Sequence, residues 1–175
     1  MARGAGFFRN NGFEVHEVVV AEGWDTDAQV DRQLWADVIV LQFPVNSMGP
    51  PWILKKYLDE VYTAGMDGRL SSGDGRSRTD ATKRYGTGGK MTDKAYMLSV
   101  TLNAPRNAFA DVDQSFFAGA TIDDVLNPIH LNFKFFGLAP LPTFAAYDVS
   151  KNPTIESDFE RFDAHLAASF GASRG

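Results

Sequence analysis

Two almost continuously apolar segments, DVIVLQF at 37–43 and AYMLSVTL at 95–102, constrain the fold of this chain more than any other feature. Neither segment alternates between apolar and polar residues, so each is predicted to be a strand buried on both faces. Strands of this kind belong to parallel sheets, in which helical crossovers connect neighbouring strands. The expected fold class is therefore α/β, an open parallel sheet with helices on both faces.

Segments with helical periodicity lie between the predicted strands. The stretch 51–65 predicts a helix, since Pro51 lies near its first position and Gly65 follows its end. The stretch 26–36 predicts another helix, capped by Thr26 or Asp25. Further helices are expected at 1–12, 111–119, 121–137 and 154–171, and further strands at 13–20 and 139–149.

Composition limits the classes of function. The chain has 175 residues, which is enough for one domain spanning 1–175, and its net charge of −5 argues against nucleic acid as a partner. It contains no Cys, so disulfides and thiol catalysis are excluded. No apolar run approaches the ~18 residues of a membrane span, and the amino terminus lacks a signal-peptide pattern. A cytoplasmic protein is expected.

A long excursion at 66–94 carries most of the basic residues and little apolar periodicity. Loops of this length in compact domains are usually functional or disordered. Its cations could meet the 2′-phosphate of NADPH, but interleaved aspartates favour a solvated loop. The YGTGG segment at 85–89 is more typical of a flexible turn than of a phosphate cradle. The cations are Arg69, Arg76, Arg78, Lys83, Arg84 and Lys90.

Two polar loops follow directly after the apolar strands, at 44–50 and 101–105. Ligands of open parallel sheets bind beyond the carboxyl ends of the strands, where these loops are expected to lie. Each loop also has a purely structural interpretation. The first could be a strand–helix connection in which Asn46 or Ser47 caps the helix, and the second could be a simple turn.

The order of these motifs resembles a known family. WADVIVLQFPVNSMGPPWILKKYLDEVYTAG, then DGRSRTDATKRYGTGG, AYMLSVTLNAP and LPTFAAYDV resemble the quinone reductases of the modulator of drug activity B type. These enzymes belong to the flavodoxin-like NAD(P)H dehydrogenase (quinone) superfamily. The resemblance runs from about residue 7 to the carboxyl terminus.

The resemblance implies an enzyme that binds FAD, with FMN less favoured, takes a hydride from NADPH or NADH, and reduces quinones by two electrons in a ping-pong mechanism. It also implies a homodimer. The cofactor carries the hydride chemistry, so no catalytic acid or base and no metal ligand is assigned. The cofactor-binding residues that the resemblance implies are Val45, Asn46, Ser47, Met48, Tyr85, Thr101, Leu102, Asn103 and Ala104.

The residue types in these loops agree with that implication. Backbone N–H groups in both loops can donate hydrogen bonds to the polar edge of a flavin ring, and they favour its anionic reduced form. His16, His130 and His165 are far apart in the sequence and show no metal-ligand spacing. A structural or exposed role is expected for each, with His130 a weaker candidate for facing the quinone.

A flavodoxin-like sheet has the strand order 2-1-3-4-5, in which the loop after the central first strand binds phosphate. Here 1–12 corresponds to the first helix and 13–20 to the second strand. The first central strand and the phosphate loop are therefore expected to be missing from an N-terminally truncated chain. Two interpretations stay open: a truncated reductase, or a non-catalytic flavodoxin-like remnant that no longer binds FAD.

Overall fold

The computed structural model describes residues 2–171. The helices are α1 (Ala2–Asn10), α2 (Thr26–Trp35), α3 (Trp52–Ala64), α4 (Ile122–Val125), α5 (Asn127–Phe135) and α6 (Ile155–Phe170). The strands are β1 (Val38–Pro44), β2 (Ala95–Thr101), β3 (Ala139–Pro140) and β4 (Phe144–Ala146).

The four strands form one parallel sheet with β2 at its centre. Strand β1 pairs with β2 in a register that runs from Val38 opposite Ala95 to Pro44 opposite Thr101. The short strands β3 and β4 pair with the other side of β2. Because β1 and β2 end side by side, the loops that follow them leave the sheet at the same edge. The predicted fold class is confirmed.

Helices cover both faces of the sheet, as predicted. Neighbouring residues of a strand point to opposite faces, and β2 divides accordingly: Tyr96 and Leu98 lie in one core, and Met97 lies in the other. The larger core packs under α2, α3, α4 and α5. The smaller core lies under α6, where Met97 meets Phe162, and α1 packs beside α6.

The helix boundaries follow the predicted signals. The carboxylate of Asp25 accepts a hydrogen bond from Ala28 N at 2.8 Å and caps α2. Helix α3 starts directly after Pro51, and its cap residue makes no side-chain hydrogen bond. The interpretation in which Asn46 or Ser47 caps α3 is therefore wrong, and the residues of the 44–50 loop are free for another role.

The strand predicted at 13–20 does not form. This stretch runs as coil and ends in a 3-10 turn at Val20–Glu22. A strand requires a neighbour for its backbone groups, and within residues 2–171 strand β1 pairs only with β2. The alternation of the sequence did not produce a strand, because within residues 2–171 no ladder partner pairs with this stretch.

Three other predicted elements differ in detail. The stretch 111–119 forms turns instead of a helix, with positive φ at Ala118 and Gly119. The helix predicted at 121–137 divides into α4 and α5 at Leu126, because Pro128 in the first turn of α5 cannot donate a backbone hydrogen bond. The strand predicted at 139–149 is interrupted, since Pro140 and Pro142 lack the N–H that a ladder needs.

Candidate functional site

The loops after β1 and β2 are tied together at the carboxyl edge of the sheet. The Val45 N–H donates to the Thr101 carbonyl at 2.8 Å, which joins the two loops directly. The Leu102 N–H donates to the Ala146 carbonyl at 3.0 Å, which fixes the second loop to β4. The two predicted binding loops therefore form one continuous surface.

A tight turn forms the tip of the first loop. Asn46 N and Gly49 O are 2.8 Å apart, and Gly49 N and Asn46 O are 2.9 Å apart. Between them Ser47 and Met48 have φ of 47° and 65°. Two consecutive positive values define a left-handed turn, which costs a non-glycine residue about 1–3 kcal/mol and is found most often where function requires it.

This turn and the second loop present unused hydrogen-bond donors. Within residues 2–171, the backbone N–H groups of Ser47, Met48, Asn103 and Ala104 have no acceptor. The side chains of Ser47, Met48 and Asn103 are exposed at the same edge. Unpaired donors on two joined loops suit the acceptor atoms on the edge of a planar heterocycle.

The apolar side chains of the two loops fasten the donors to the core. Leu102 is buried at 6% exposure, and Val45 and Ala104 pack partly buried against the larger core. The backbone of Ala104 accepts a further hydrogen bond from Asp148 N at 3.1 Å. The donors are consequently held on a rigid support, which is the condition for a preorganised binding site.

Tyr85 lies apart from the other eight predicted residues. Its ring is 5.8 Å from Phe135, at the end of α5, and 5.3 Å from the Arg76 guanidinium. The end of α5 leads into β3, which pairs with the first residues of β2 at the amino edge of the sheet. The structure therefore groups 45–48 with 101–104 and places Tyr85 toward the opposite edge.

Comparison with known proteins identifies the family. Residues 7–169 match a family model described as flavodoxin-like fold. The chain belongs to this flavodoxin-like family.

Several relatives of this flavodoxin-like chain are oxidoreductases by name. It is 41% identical to the NADPH:quinone oxidoreductase MdaB of Haemophilus influenzae, over 91% of this chain and 82% of that protein. It is 44% identical to an uncharacterised Schizosaccharomyces pombe protein, over 93% and 82%. A quinone reductase structure from Klebsiella pneumoniae shares the fold, with a TM-score of 0.73 at 23% identity, over 95% and 75%. The family match and the identity to a quinone oxidoreductase confirm the predicted family resemblance and the predicted enzyme class.

Two arginines of the 66–94 excursion of the flavodoxin-like chain form ion pairs with carboxylates of the same excursion. Arg69 Nε lies 2.9 Å from Asp67 Oδ2, and Arg76 Nη2 lies 2.5 Å from Asp74 Oδ2. The YGTGG segment is packed more tightly than a flexible turn, since a Cβ on Gly89 would lie 2.2 Å from the Phe136 backbone. These contacts favour the interpretation as a folded, solvated loop.

Sequence reasoning missed the polar cluster that Tyr96, His130 and Asp123 form in the flavodoxin-like chain. The Tyr96 hydroxyl and His130 Nδ1 are 2.7 Å apart, and His130 Nε2 lies 3.2 Å from Asp123 Oδ1. The cluster joins β2, α5 and α4. A buried tyrosine hydroxyl requires a polar partner, and that requirement was the only available signal. His130 thus has a structural partner, and its weaker candidacy for facing the quinone gains no support.

Stability at alkaline pH should report on this cluster. Burial, helped by the charge of Asp123, raises the pKa of Tyr96 to about 12. A neutral Tyr96 therefore stabilises the fold below pH ~10, and this contribution of up to about 3 kcal/mol is lost between pH ~10 and ~12. We expect Tyr96→Phe to be less destabilised than the original chain over that interval.

Denaturant unfolding at several pH values measures this difference. The matched control is Tyr85→Phe, since that ring is 69% exposed. Tyr57, Tyr62 and Tyr147 also have raised pKa values because of burial. The contribution of Tyr96 is therefore the difference in the pH dependence of unfolding between Tyr96→Phe and the original chain. Equal slopes for Tyr96→Phe and the original chain would contradict the assignment.

Within residues 2–171, no helix is both long enough and apolar enough to cross a membrane. Over the same residues, no group of three or more His, Cys, Asp or Glu side chains is arranged to hold a metal ion.

Proposed function

We propose that this chain is a flavin-dependent NAD(P)H:quinone oxidoreductase of the cytoplasm. The observation that carries the proposal is the set of unused backbone donors on the 45–48 turn and the 101–104 loop, which are joined at the carboxyl edge of a parallel sheet. Ligands of open parallel sheets bind at this edge. The 41% identity to an NADPH:quinone oxidoreductase supports the same activity.

The residues present fit the ring portion of a flavin, and FAD is the form we propose. The N–H groups of Ser47 and Met48 would donate to one stretch of its polar edge, and those of Asn103 and Ala104 to another. These dipoles stabilise negative charge on whatever group they hold, without any protonation change in the protein. A bound flavin supplies the hydride chemistry between a nicotinamide and a quinone.

Apolar surface beside the turn adds to this fit. Met48 is 48% exposed, and Trp52, which opens α3 just after the turn, is 75% exposed. Large exposed apolar side chains next to unpaired polar groups are typical of a ligand site. Trp52 was not among the residues predicted from the sequence, and we add it as a wall for the nicotinamide or the quinone.

The position of Tyr85 supports the homodimer that the resemblance implies. Its ring is 69% exposed and lies 5.8 Å from the ring of Phe135 on α5. Tyr85, Met66 and Leu131 border one groove between α3 and α5. If a second copy of the chain bound at this groove, Tyr85 of the first chain would contact the surface of the second. Aromatic side chains of this kind are enriched in protein interfaces.

Flavin titration and steady-state turnover test the proposed activity. Added FAD should show a shifted absorption band and quenched fluorescence on binding, and the loaded protein should oxidise NADPH only when menadione is present. Sedimentation of the same sample reports whether two chains associate. A protein that is folded by circular dichroism but neither binds FAD nor oxidises NADPH would contradict the proposal and favour the non-catalytic remnant.

A further inference from the structure

A tyrosine at the end of β4 lies beside one of the two candidate binding loops. Tyr147 follows β4 directly, and both of its neighbours are bonded to the loop after β2. The Ala146 carbonyl accepts from Leu102 N at 3.0 Å, and Asp148 N donates to the Ala104 carbonyl at 3.1 Å. Tyr147 is thereby fixed at the carboxyl edge of the sheet, next to a loop that carries two of the unused backbone donors.

The backbone directly after this tyrosine is strained. Asp148 has a φ of 53°, in the left-handed region that residues other than glycine rarely adopt. Such outliers cluster at ligand sites, where surrounding contacts hold them in place. Here the hydrogen bonds from Asp148 N and Val149 N to the loop after β2 do so, at 3.1 and 3.2 Å. The strained residue fixes the point from which the Tyr147 side chain emerges.

The ring of Tyr147 ends a row of aromatic side chains. It lies 5.5 Å from the ring of Phe109, which stacks on Phe117 at 4.2 Å. Phe116, which is exposed, continues the row edge-on at 4.8 Å. Phe109 is part of the larger core, and Phe117 and Tyr147 pack against it. The row supports the Tyr147 ring, so its hydroxyl keeps a defined position.

The hydroxyl of Tyr147 is left without a partner. Tyr147 is half-buried, yet within residues 2–171 its hydroxyl makes no hydrogen bond. It is not among the enclosed polar atoms that lack a partner, so it reaches the surface of the protein. The hydroxyls of three more deeply buried tyrosines do find partners inside the protein, as tyrosine hydroxyls usually do. These are Tyr57, Tyr62 and Tyr96.

Charged side chains act on this hydroxyl. Arg106 begins the 3-10 turn that leads to Phe109, and residues three apart in such a turn lie on the same side. Its guanidinium makes no ion pair or hydrogen bond within residues 2–171. Burial raises the pKa of Tyr147, whereas the charge of Arg106 lowers it. Asp123 raises this pKa further, and Arg161 lowers it. The unpaired guanidinium of Arg106 makes the place favourable to an oxygen that carries negative charge.

We propose that the Tyr147 hydroxyl donates a hydrogen bond to a carbonyl oxygen of the quinone, and that Arg106 stabilises the negative charge that develops on this oxygen. This inference rests on the proposed function. A hydride from the reduced flavin brings two electrons to the quinone and leaves one oxygen anionic, until that oxygen takes a proton from water. A donor aimed at the developing charge lowers the barrier to this step. Tyr147 keeps its own proton throughout.

Stopped-flow measurement of the quinone step tests this assignment in the FAD-loaded full chain. The flavin is reduced with dithionite, and its reoxidation is followed after mixing with menadione or with ferricyanide, which has no carbonyl oxygen. Tyr147→Phe keeps the ring and removes the donor. Reoxidation by menadione should therefore slow by about 10- to 100-fold, while reoxidation by ferricyanide is unchanged. The dissociation constant of menadione for the oxidised protein should rise by about 2- to 10-fold.

A second pair of variants tests the charge. Arg106→Met should slow reoxidation by menadione by about 3-fold. The matched control is Arg32→Met, an exposed arginine in the last turn of α2, which should leave this rate unchanged. Equal effects of these two variants would overturn the role of Arg106.

The outcomes separate this inference from the proposed function. Equal menadione rates in Tyr147→Phe and the original chain, or equal slowing with menadione and ferricyanide, would overturn the role of Tyr147. A failure of the proposed activity shows itself differently, as a flavin that NADPH does not reduce in the original chain, and the dithionite-reduced flavin still reports on Tyr147. A chain that takes up no FAD would overturn both.

Discussion

Replacing Phe133 by alanine should lower the free energy of unfolding by about 3–5 kcal/mol, the usual cost of deleting a buried aromatic ring. Phe133 is fully buried on α5. Its ring stacks on Tyr96 with centroids 4.3 Å apart and meets Tyr62 edge-on at 5.5 Å. The ring thus links β2, α3 and α5, and no neighbour is placed to fill the resulting cavity without disturbing these contacts.

Equilibrium denaturation measures this loss. The matched control is Ile155→Ala at the start of α6, where 54% of the residue is exposed and a change within about 0.5 kcal/mol is expected. Since small domains have about 5–15 kcal/mol of stability in total, the Phe133 variant should unfold at markedly lower denaturant. Equal losses for the two variants would show that this core is not organised around the ring.

The sequence predicted the parts of the fold that depend on local chemistry. The apolar runs at 37–43 and 95–102 became β1 and β2, and α3 begins and ends where Pro51 and Gly65 indicated. The strand predicted at 13–20 was wrong, because its formation depends on more than local chemistry. Alternation predicts an extended backbone, but a strand also needs a neighbour, and a single segment carries no information about its neighbours.

The same distinction applies to the candidate site. Its place at the ends of β1 and β2 could be predicted, because strand order in a parallel sheet fixes which loops meet. The left-handed turn could not, since Ser47 and Met48 are not residues that favour positive φ. The separation of Tyr85 from the other predicted site residues could not be predicted either, because a motif records the order of residues along the chain and not their distance in space.

The left-handed turn should decide flavin affinity, and a pair of double variants isolates its role. Glycine adopts positive φ without strain, whereas β-branched residues avoid it. Changing Ser47 and Met48 together to glycine should therefore preserve the turn, and changing both to valine should abolish it. Loss of two donors at about 0.5–1.5 kcal/mol each would weaken FAD binding by roughly 5- to 150-fold in the valine variant.

Stability gives a second measure that needs no cofactor. The glycine variant should unfold at nearly the same denaturant concentration as the original chain, because relief of strain offsets the added flexibility of the unfolded state. The valine variant should lose at least about 1 kcal/mol per residue. If both variants bound FAD equally while differing in stability, the turn would be a structural connection, and the donors at Asn103 and Ala104 would have to hold the flavin without it.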